Sequence, residues 1–543
     1  MHGLMQGRSL TISSILEHAE RQHATTEVVS RRDDGTLERS SYARVAQRAR
    51  RLARVLLALG VRPGERVATI AMNSDRHLEL YYAISGIGAI CHTINPRLAC
   101  EDIGYITQHA EDVLIFVDAG FVPLVEAVAP ALPRLLRGVV VLNDRPDSSE
   151  VRLPAGIDVH DYETLLGESS DDFVWPDLDE CAASGLCYTS GTTGRPKGVL
   201  YSHRSTVLHA MAMNMADVAG LRAIDRLMPA VPMFHANAWG FAHAAPMAGA
   251  ALLLPGRRLD GAAVVSLLNE ERATVSAGVP TVWLGVLGHL RATAGHLSTL
   301  KMILAGGSAF PRALIAEYAA IGVRVRHAWG MTESSPIVTA SGPKPATAQL
   351  DAEQRLDEQA TQGRAVFGVE VQAHDDAGRA VPWDGCTQGQ LVFRGQWIAS
   401  AYFRAPETQV GPDGWFPTGD VGVIDAEGFV TLTDRTKDLI KSGGEWISSI
   451  AIENIAVGHP EVAEAAAIAV PHEKWGERPL LIVVPRAGCS PDPTALRAFF
   501  EGKVSKWSIP DNVLIVESIP HGATGKILKN ELRRLYGAAR CEP

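Results

Sequence analysis

Between residues 41 and 142 the chain switches repeatedly between two hydrophobic periods, and this constrains the fold most. Val45, Ala49, Leu52, Val55, Leu56 and Leu59 recur at helical spacing within Ser41 to Leu59. Arg62-Pro63-Gly64 then makes a turn, and Arg66 to Met72 reads as a strand. Leu78 to Ala89 is helical again, while Val113 to Val117 and Val139 to Leu142 are short apolar runs of buried-strand type. Helices alternating with buried strands predict an α/β domain of layered, largely parallel sheets.

The length of 543 residues exceeds one ordinary domain. Beyond residue 435 the pattern changes: helices at Ser448 to Val457, Thr494 to Val504 and Lys529 to Leu535 flank strands at Val462 to Val470, Leu480 to Val484 and Val513 to Val516. This is a small α+β unit that can fold alone. Charge breaks at the same place. The chain carries −10 overall, yet from residue 435 onward 14 Lys and Arg face 13 Asp and Glu. The reading therefore divides the chain into residues 1–434 and 435–543. Segment 342–363, polar and rich in Pro, Ala, Gln and Glu, reads as a surface excursion with some helix.

The negative total argues against a surface built for nucleic acid. Seven scattered cysteines without a C-x-x-C spacing disfavour structural zinc and a disulfide framework, and fit a reducing cytoplasm. No signal peptide is evident. The most apolar stretch, Ala242 to Pro255, is too short to span a bilayer and contains His243 and Pro246.

The sharpest local feature is Tyr188-Thr189-Ser190-Gly191-Thr192-Thr193-Gly194-Arg195-Pro196-Lys197-Gly198, set between the apolar runs Leu186-Cys187-Tyr188 and Val199-Leu200-Tyr201. Hydroxyls and backbone N–H groups on a glycine-rich loop suit several phosphate oxygens at once. Lys197 adds a point charge, and Pro196 restricts the loop. A flexible linker would give no reason for Arg-Pro-Lys-Gly or for the flanking apolar runs. The loop is not a Walker A sequence, because Gly198 follows Lys197 where Ser or Thr is needed. Gly86-Ile87-Gly88 lacks the third glycine of a dinucleotide fingerprint.

This loop resembles that of the acyl-adenylate-forming superfamily, which includes acyl-CoA synthetases, luciferases and peptide-synthetase adenylation domains. Four further elements follow in the family's order. Trp329-Gly330-Met331-Thr332-Glu333 resembles Y-G-x-T-E, and Trp415-Phe416-Pro417-Thr418-Gly419-Asp420 resembles W-x-x-T-G-D. Asp434-Arg435-Thr436-Lys437-Asp438 resembles the hinge motif, and Gly522-Ala523-Thr524-Gly525-Lys526 the catalytic-lysine motif. The stretch from Lys437 to Ser448 and the stretch Val231 to Gly240 are most similar to fatty acyl-CoA synthetases. Gln390 stands where the family usually has Glu, which keeps hydrogen bonding and loses charge.

The resemblance implies the adenylate-forming fold, with a mobile small C-terminal domain, and a two-step reaction using ATP, Mg²⁺ and coenzyme A. A carboxylate attacks the α-phosphate of ATP, and the thiol of coenzyme A then displaces AMP. It implies Lys526 as the adenylation lysine, Thr332 as an α-phosphate donor, and Glu333 and Thr192 as Mg²⁺ contacts. A carboxylate oxygen suits Mg²⁺ on its own chemistry. Thr189, Ser190, Gly191, Thr193, Gly194 and Lys197 are the expected phosphate contacts. Gly307, Ser308, Ala309, His327, Ala328 and Trp329 are expected around adenine, where small residues allow close approach and Trp329 offers a stacking face. A tight turn after a strand would explain the glycines equally well without the resemblance. Asp420 and Arg435 are the expected ribose and phosphate contacts. Lys437 is the implied pivot, and Lys441 and Trp446 resemble linker residues that contact nucleotide and gate the acyl tunnel.

His235 and Trp239 are candidates for the wall of the acyl pocket, with an ordinary core His and Trp as the rival reading. No Arg or Lys in that stretch greets a second charged group, which favours an apolar monocarboxylic acid. The first expectation is thus a ligase for medium- or long-chain fatty acids. Its rivals are a ligase for a small acid such as methylthiopropionate, an acyl-AMP ligase serving a carrier protein, and a luciferase-like oxygenase. The expected protein is cytoplasmic, with homodimers common among such synthetases.

Overall fold

A computed structural model describes residues 1, 3–142, 151–189, 195–443, 445–522 and 526–537. Ser190, Gly191, Thr192, Thr193 and Gly194, all named above as phosphate or metal contacts, lie outside the described residues.

The first helix after the opening hairpin, Tyr42–Ala58, starts where Ser41 accepts a hydrogen bond from the Arg44 amide, and it buries Val45, Ala49, Leu52 and Leu56. The next helix, Asp75–Gly86, is buried on every side and is capped by Ser74. Its Tyr82 hydroxyl donates to the carbonyl of Ala242, 2.9 Å away, tying it to the helix Phe241–Ala248.

Two large sheets share this core. One has seven strands, in the order Asp158–Asp161, Gly138–Leu142, Asp112–Asp118, Arg66–Ile70, Ile90–Thr93, Ala183–Thr189 and Lys197–Ser202. All its pairings are parallel except the last. The other has nine strands, parallel through Arg324–Gly330, Met302–Ala305, Val275–Gly278, Arg226–Pro229, Ala251–Leu254 and Glu27–Arg31, with antiparallel strands at both edges. An antiparallel four-stranded sheet follows, from Val369–His374 to Val430–Arg435. The sequence pattern does not separate this sheet from the parallel ones.

The small C-terminal domain is built on the strands Val462–His472 and Gly476–Pro485. Asn512–Ile515 runs parallel to the latter, and the hairpin Ile440–Ser442 with Glu445–Ile447 completes the sheet. The helix expected over Thr494 to Val504 is shorter, Pro493–Ala498; Phe499 and Phe500 turn the chain, and Gly502 at φ +75° holds a left-handed conformation. Segment 342–363 does contain a helix, Ala352–Ala360. Among the described residues, no helix is long and apolar enough to cross a membrane.

Candidate active site

Parallel strands leave their C-terminal ends free to carry loops, and ligands of open α/β sheets bind there. Here both large sheets bring such ends to one cavity of about 580 Å³. Thr93 and Thr189 arrive from the seven-stranded sheet, and Gly306 and Gly330 from the nine-stranded one.

Beyond Ala305 the backbone passes close to its neighbours, leaving little room for side chains at Gly306 and Gly307. A Cβ on Gly306 would lie 2.9 Å from the Ala328 carbonyl oxygen and 3.3 Å from the Trp239 ring. Gly307 sits at φ +85°, and a Cβ there would meet Val279 at 3.1 Å. Ser308, Ala309 and His327 line an adjoining cavity of about 280 Å³, shared with Ala328 and Trp329. His327 is buried, its Nδ1–H reaching the Ala360 carbonyl, and burial pushes its pKa down. The Trp329 indole N–H donates to Asp420 Oδ2 at 2.9 Å, and Arg435 Nε lies 3.5 Å from Asp420 Oδ1. Asp420 and Arg435 are cross-strand partners in the four-stranded sheet, so their pairing follows from register.

Thr332 and Glu333 form a short 3₁₀ turn after Met331. Glu333 is buried, and burial raises its carboxyl pKa, opposed by a 2.6 Å hydrogen bond from the Tyr402 hydroxyl and by Lys526 and Lys197. Lys197 Nζ stands 4.7 Å from the centre of the Tyr402 ring. A desolvated carboxylate with cations nearby fits a hard divalent cation with phosphate oxygens around it. Tyr402 was not singled out in the sequence; Ala401-Tyr402-Phe403 carries no periodicity or charge signal that would point to it.

Lys526, from the small domain, reaches into this space. Its Cε would be 3.9 Å from a Cβ on Gly307. Burial pushes its pKa down to about 8, helped by Arg435 and opposed by Asp420 and Glu333. Lys437 also lines both cavities, and burial lowers its pKa.

His235 and Trp239 line the larger cavity, so both are wall residues. Burial, then the charge of Lys526, lowers His235 to about 4, leaving it neutral near pH 7. Trp239 is presented by an unusual backbone: Ala236, Asn237, Ala238, Trp239 and Gly240 all have positive φ. One left-handed turn costs about 1–2 kcal/mol per non-glycine residue. Hydrogen bonds help to hold it, with Asn237 Oδ1 accepting from Tyr81 at 3.2 Å and Thr93 donating to the Phe234 carbonyl at 3.3 Å. Lys441 and Trp446 are not among the residues lining either cavity. They face each other on the small domain's hairpin, Lys441 Nζ 4.8 Å from the Trp446 ring, with Trp446 half exposed.

Comparisons with known proteins identify the family. The AMP-binding enzyme family matches residues 15–403, and the AMP-binding enzyme C-terminal domain matches residues 451–526. The chain is 48% identical to the 3-methylmercaptopropionyl-CoA ligase of Ruegeria pomeroyi, over 99% of both chains. It is 46% identical to the medium-chain-fatty-acid–CoA ligase of Ectopseudomonas oleovorans, over 99% of this chain and 98% of that one. Among solved structures, the anthranilate CoA ligase AuaEII in complex with anthranoyl-AMP superposes with a TM-score of 0.85 at 24% identity, over 97% of both chains; that likeness concerns the fold alone.

Proposed function

This chain belongs to the AMP-binding enzyme family and is an ATP-dependent acid–thiol ligase that makes acyl-CoA; on that premise we propose that its acid is an apolar monocarboxylic acid of medium or long chain. One observation carries the monocarboxylic part of this reading, and the 46% identical medium-chain relative supports the chain length. Our reading assigns the cations lining the larger cavity, Lys197, Arg435, Lys437 and Lys526, to the phosphates, while Leu98, Met213, Phe234, Trp239 and Ile337 supply apolar wall. A second carboxylate on the acid would be buried there without a partner, at a cost of several kcal/mol.

In this reading the acid's carboxylate attacks the α-phosphorus of ATP and pyrophosphate leaves. Lys526 donates its N–H bonds where charge builds on the phosphate oxygens, and Thr332 donates beside it. Gly306 and Gly307 let adenine lie against backbone beside Trp329, and Asp420 accepts from the ribose hydroxyls while Arg435 faces phosphate. Glu333 would hold Mg²⁺, which supplies charge neutralisation at the phosphates when bound. His235 stays neutral and so adds no charge to the acyl side. The thiol of coenzyme A then attacks the acyl carbon and AMP departs. We assign the pivot to Lys437, with residues 1–434 on one side and 435–543 on the other. A turn there would bring Lys441 and Trp446 toward the site and withdraw Lys526.

A shorter thioether acid is the second reading. It is favoured by Trp239, whose ring lies across Gly306 and Gly307 at the cavity wall, and by the 48% identical relative. The deciding experiment offers ATP, Mg²⁺, coenzyme A and acids from C2 to C18, with 3-methylthiopropionate among them, and reads the thioester by mass spectrometry. The highest kcat/KM should fall on a medium- or long-chain acid. A maximum on the thioether acid establishes the second reading, and preference for a dicarboxylic acid refutes both.

A further inference from the structure

Lys526 acts from a segment that also has to be held in place, and the residues that hold it form a connected set. The helix that follows it, Lys529–Tyr536, carries Lys529 and Arg533 four residues apart, hence on one face. Arg533 reaches Asp438 at 2.5 Å and the Lys437 carbonyl at 3.4 Å. Lys529 lies 2.7 Å from Glu453, their side chains only 13% and 16% exposed, and also donates to the Ser449 hydroxyl. Ser449, fully buried, donates both its backbone N–H (2.7 Å) and its hydroxyl (2.6 Å) to Asp434 Oδ2. Asp434 is 2% exposed and precedes Arg435 in the strand Val430–Arg435, so the two side chains leave the strand in opposite directions.

The chain of contacts therefore runs from the large domain's last strand, through Ser449, to the lysine that anchors the helix behind Lys526. We propose that Lys529 and Ser449, clasped to Asp434, are positioning residues for adenylation: they seat the small domain so that the Lys526 ammonium enters the cavity. This rests on the two-step reading above. Two of the three charged groups, Glu453 and Asp434, are acidic, and burial raises the pKa of both while Lys529 lowers it. The ammonium of Lys529 is what makes their burial together tolerable. Asp434, Glu453 and Lys529 line the smaller cavity beside Lys526, and in this proposal the clasp matters only while Lys526 is needed inside. When the thiol of coenzyme A must reach the acyl carbon, Lys526 occupies space beside Gly307 and the clasp has no function.

The test uses the full chain with Ser449→Ala and, separately, Asp434→Asn, both of which leave the Lys529–Glu453 pair intact and spare the helix cap at Ser448. Lys529→Arg is the conservative control. Acid-dependent pyrophosphate release reports the first step, and thioester formation from added acyl-AMP and coenzyme A reports the second. Losing a hydrogen bond to a charged group should slow pyrophosphate release about tenfold. The second step should stay within about twofold of wild type, with both variants still folded at the assay temperature by thermal denaturation, and Lys529→Arg should retain most of the first step. In a Lys526→Ala background, Ser449→Ala should cost nothing further. A parallel fall of both steps, an unchanged first step, or an added loss in the Lys526→Ala background overturns the proposal. If wild-type protein makes no acyl-AMP from any acid, the function reading itself fails, and this inference with it.

Discussion

Replacing Lys526 with Arg and with Ala separates its charge from its titration. Burial and the neighbouring Arg435 hold the Lys526 pKa at about 8, against an ordinary 10.5. Such a shift corresponds to about 3 kcal/mol against the charged form before substrate enters. The sign follows from the depression. Packing neutral Lys526 into the cleft favours the closed arrangement above pH 10.5, and that contribution is lost as the pH falls through 8, where the ammonium must be desolvated. Phosphate anions reverse the balance by pairing with the ammonium, so ATP binding should take up protons between about pH 8 and 10. Calorimetry in two buffers of different ionisation enthalpy measures that uptake. The kcat/KM for acid-dependent pyrophosphate release should fall as the pH rises through about 8. Lys526→Arg, charged throughout, should lose the proton uptake and the alkaline fall. Lys526→Ala should lose about 10²–10³ in rate, the scale of one oxyanion-type donor. An unchanged alkaline limb in the Arg variant, or an Ala variant within tenfold of wild type, would refute the assignment.

Three other outcomes follow from the site. Trp239→Ala removes the ring over Gly306 and Gly307 and should shift the chain-length optimum toward longer acids, read from kcat/KM across the acid panel; an unchanged profile removes Trp239 from the pocket wall. Gly307→Ala puts a Cβ at φ +85° and 3.1 Å from Val279, so the KM for ATP should rise about tenfold with little change in the acid's KM. Tyr402→Phe takes away the hydroxyl that donates to Glu333, so that carboxyl should titrate still higher. The Mg²⁺ concentration for half-maximal pyrophosphate release should rise about tenfold, most strongly at low pH, where the carboxyl protonates.

The parts of the fold legible in sequence are those built on local period and punctuation. Tyr42–Ala58, Asp112–Asp118 and Lys529–Tyr536 fall within a few residues of their periodic patterns, because burial of one helix face or a whole strand leaves a regular trace. The antiparallel sheet from Val369 to Arg435 left a weaker trace, its half-exposed strands interrupted by turns and register shifts. For the candidate site, short motifs pointed to residues that the structure brings to the two cavities: Trp329 to Glu333, Asp420 with Arg435, and Lys526. Tyr402 and Asn237 were not legible, since each acts by meeting a distant residue, Glu333 or Tyr81, and nothing in its own neighbourhood marks it.

By itself, then, the sequence determined the chemistry available: a phosphate-suited loop, a carboxylate in Glu333, a lysine in Lys526, and the family to which they belong. Tertiary structure alone decided how these were tuned. It buried Lys526 beside Arg435 and so lowered its pKa, seated Glu333 under Tyr402, and turned Trp239 inward through a left-handed turn that no residue pattern announces. The physical reason is that desolvation and charge proximity depend on distances between residues far apart in the chain, whereas motifs record only what lies next to what.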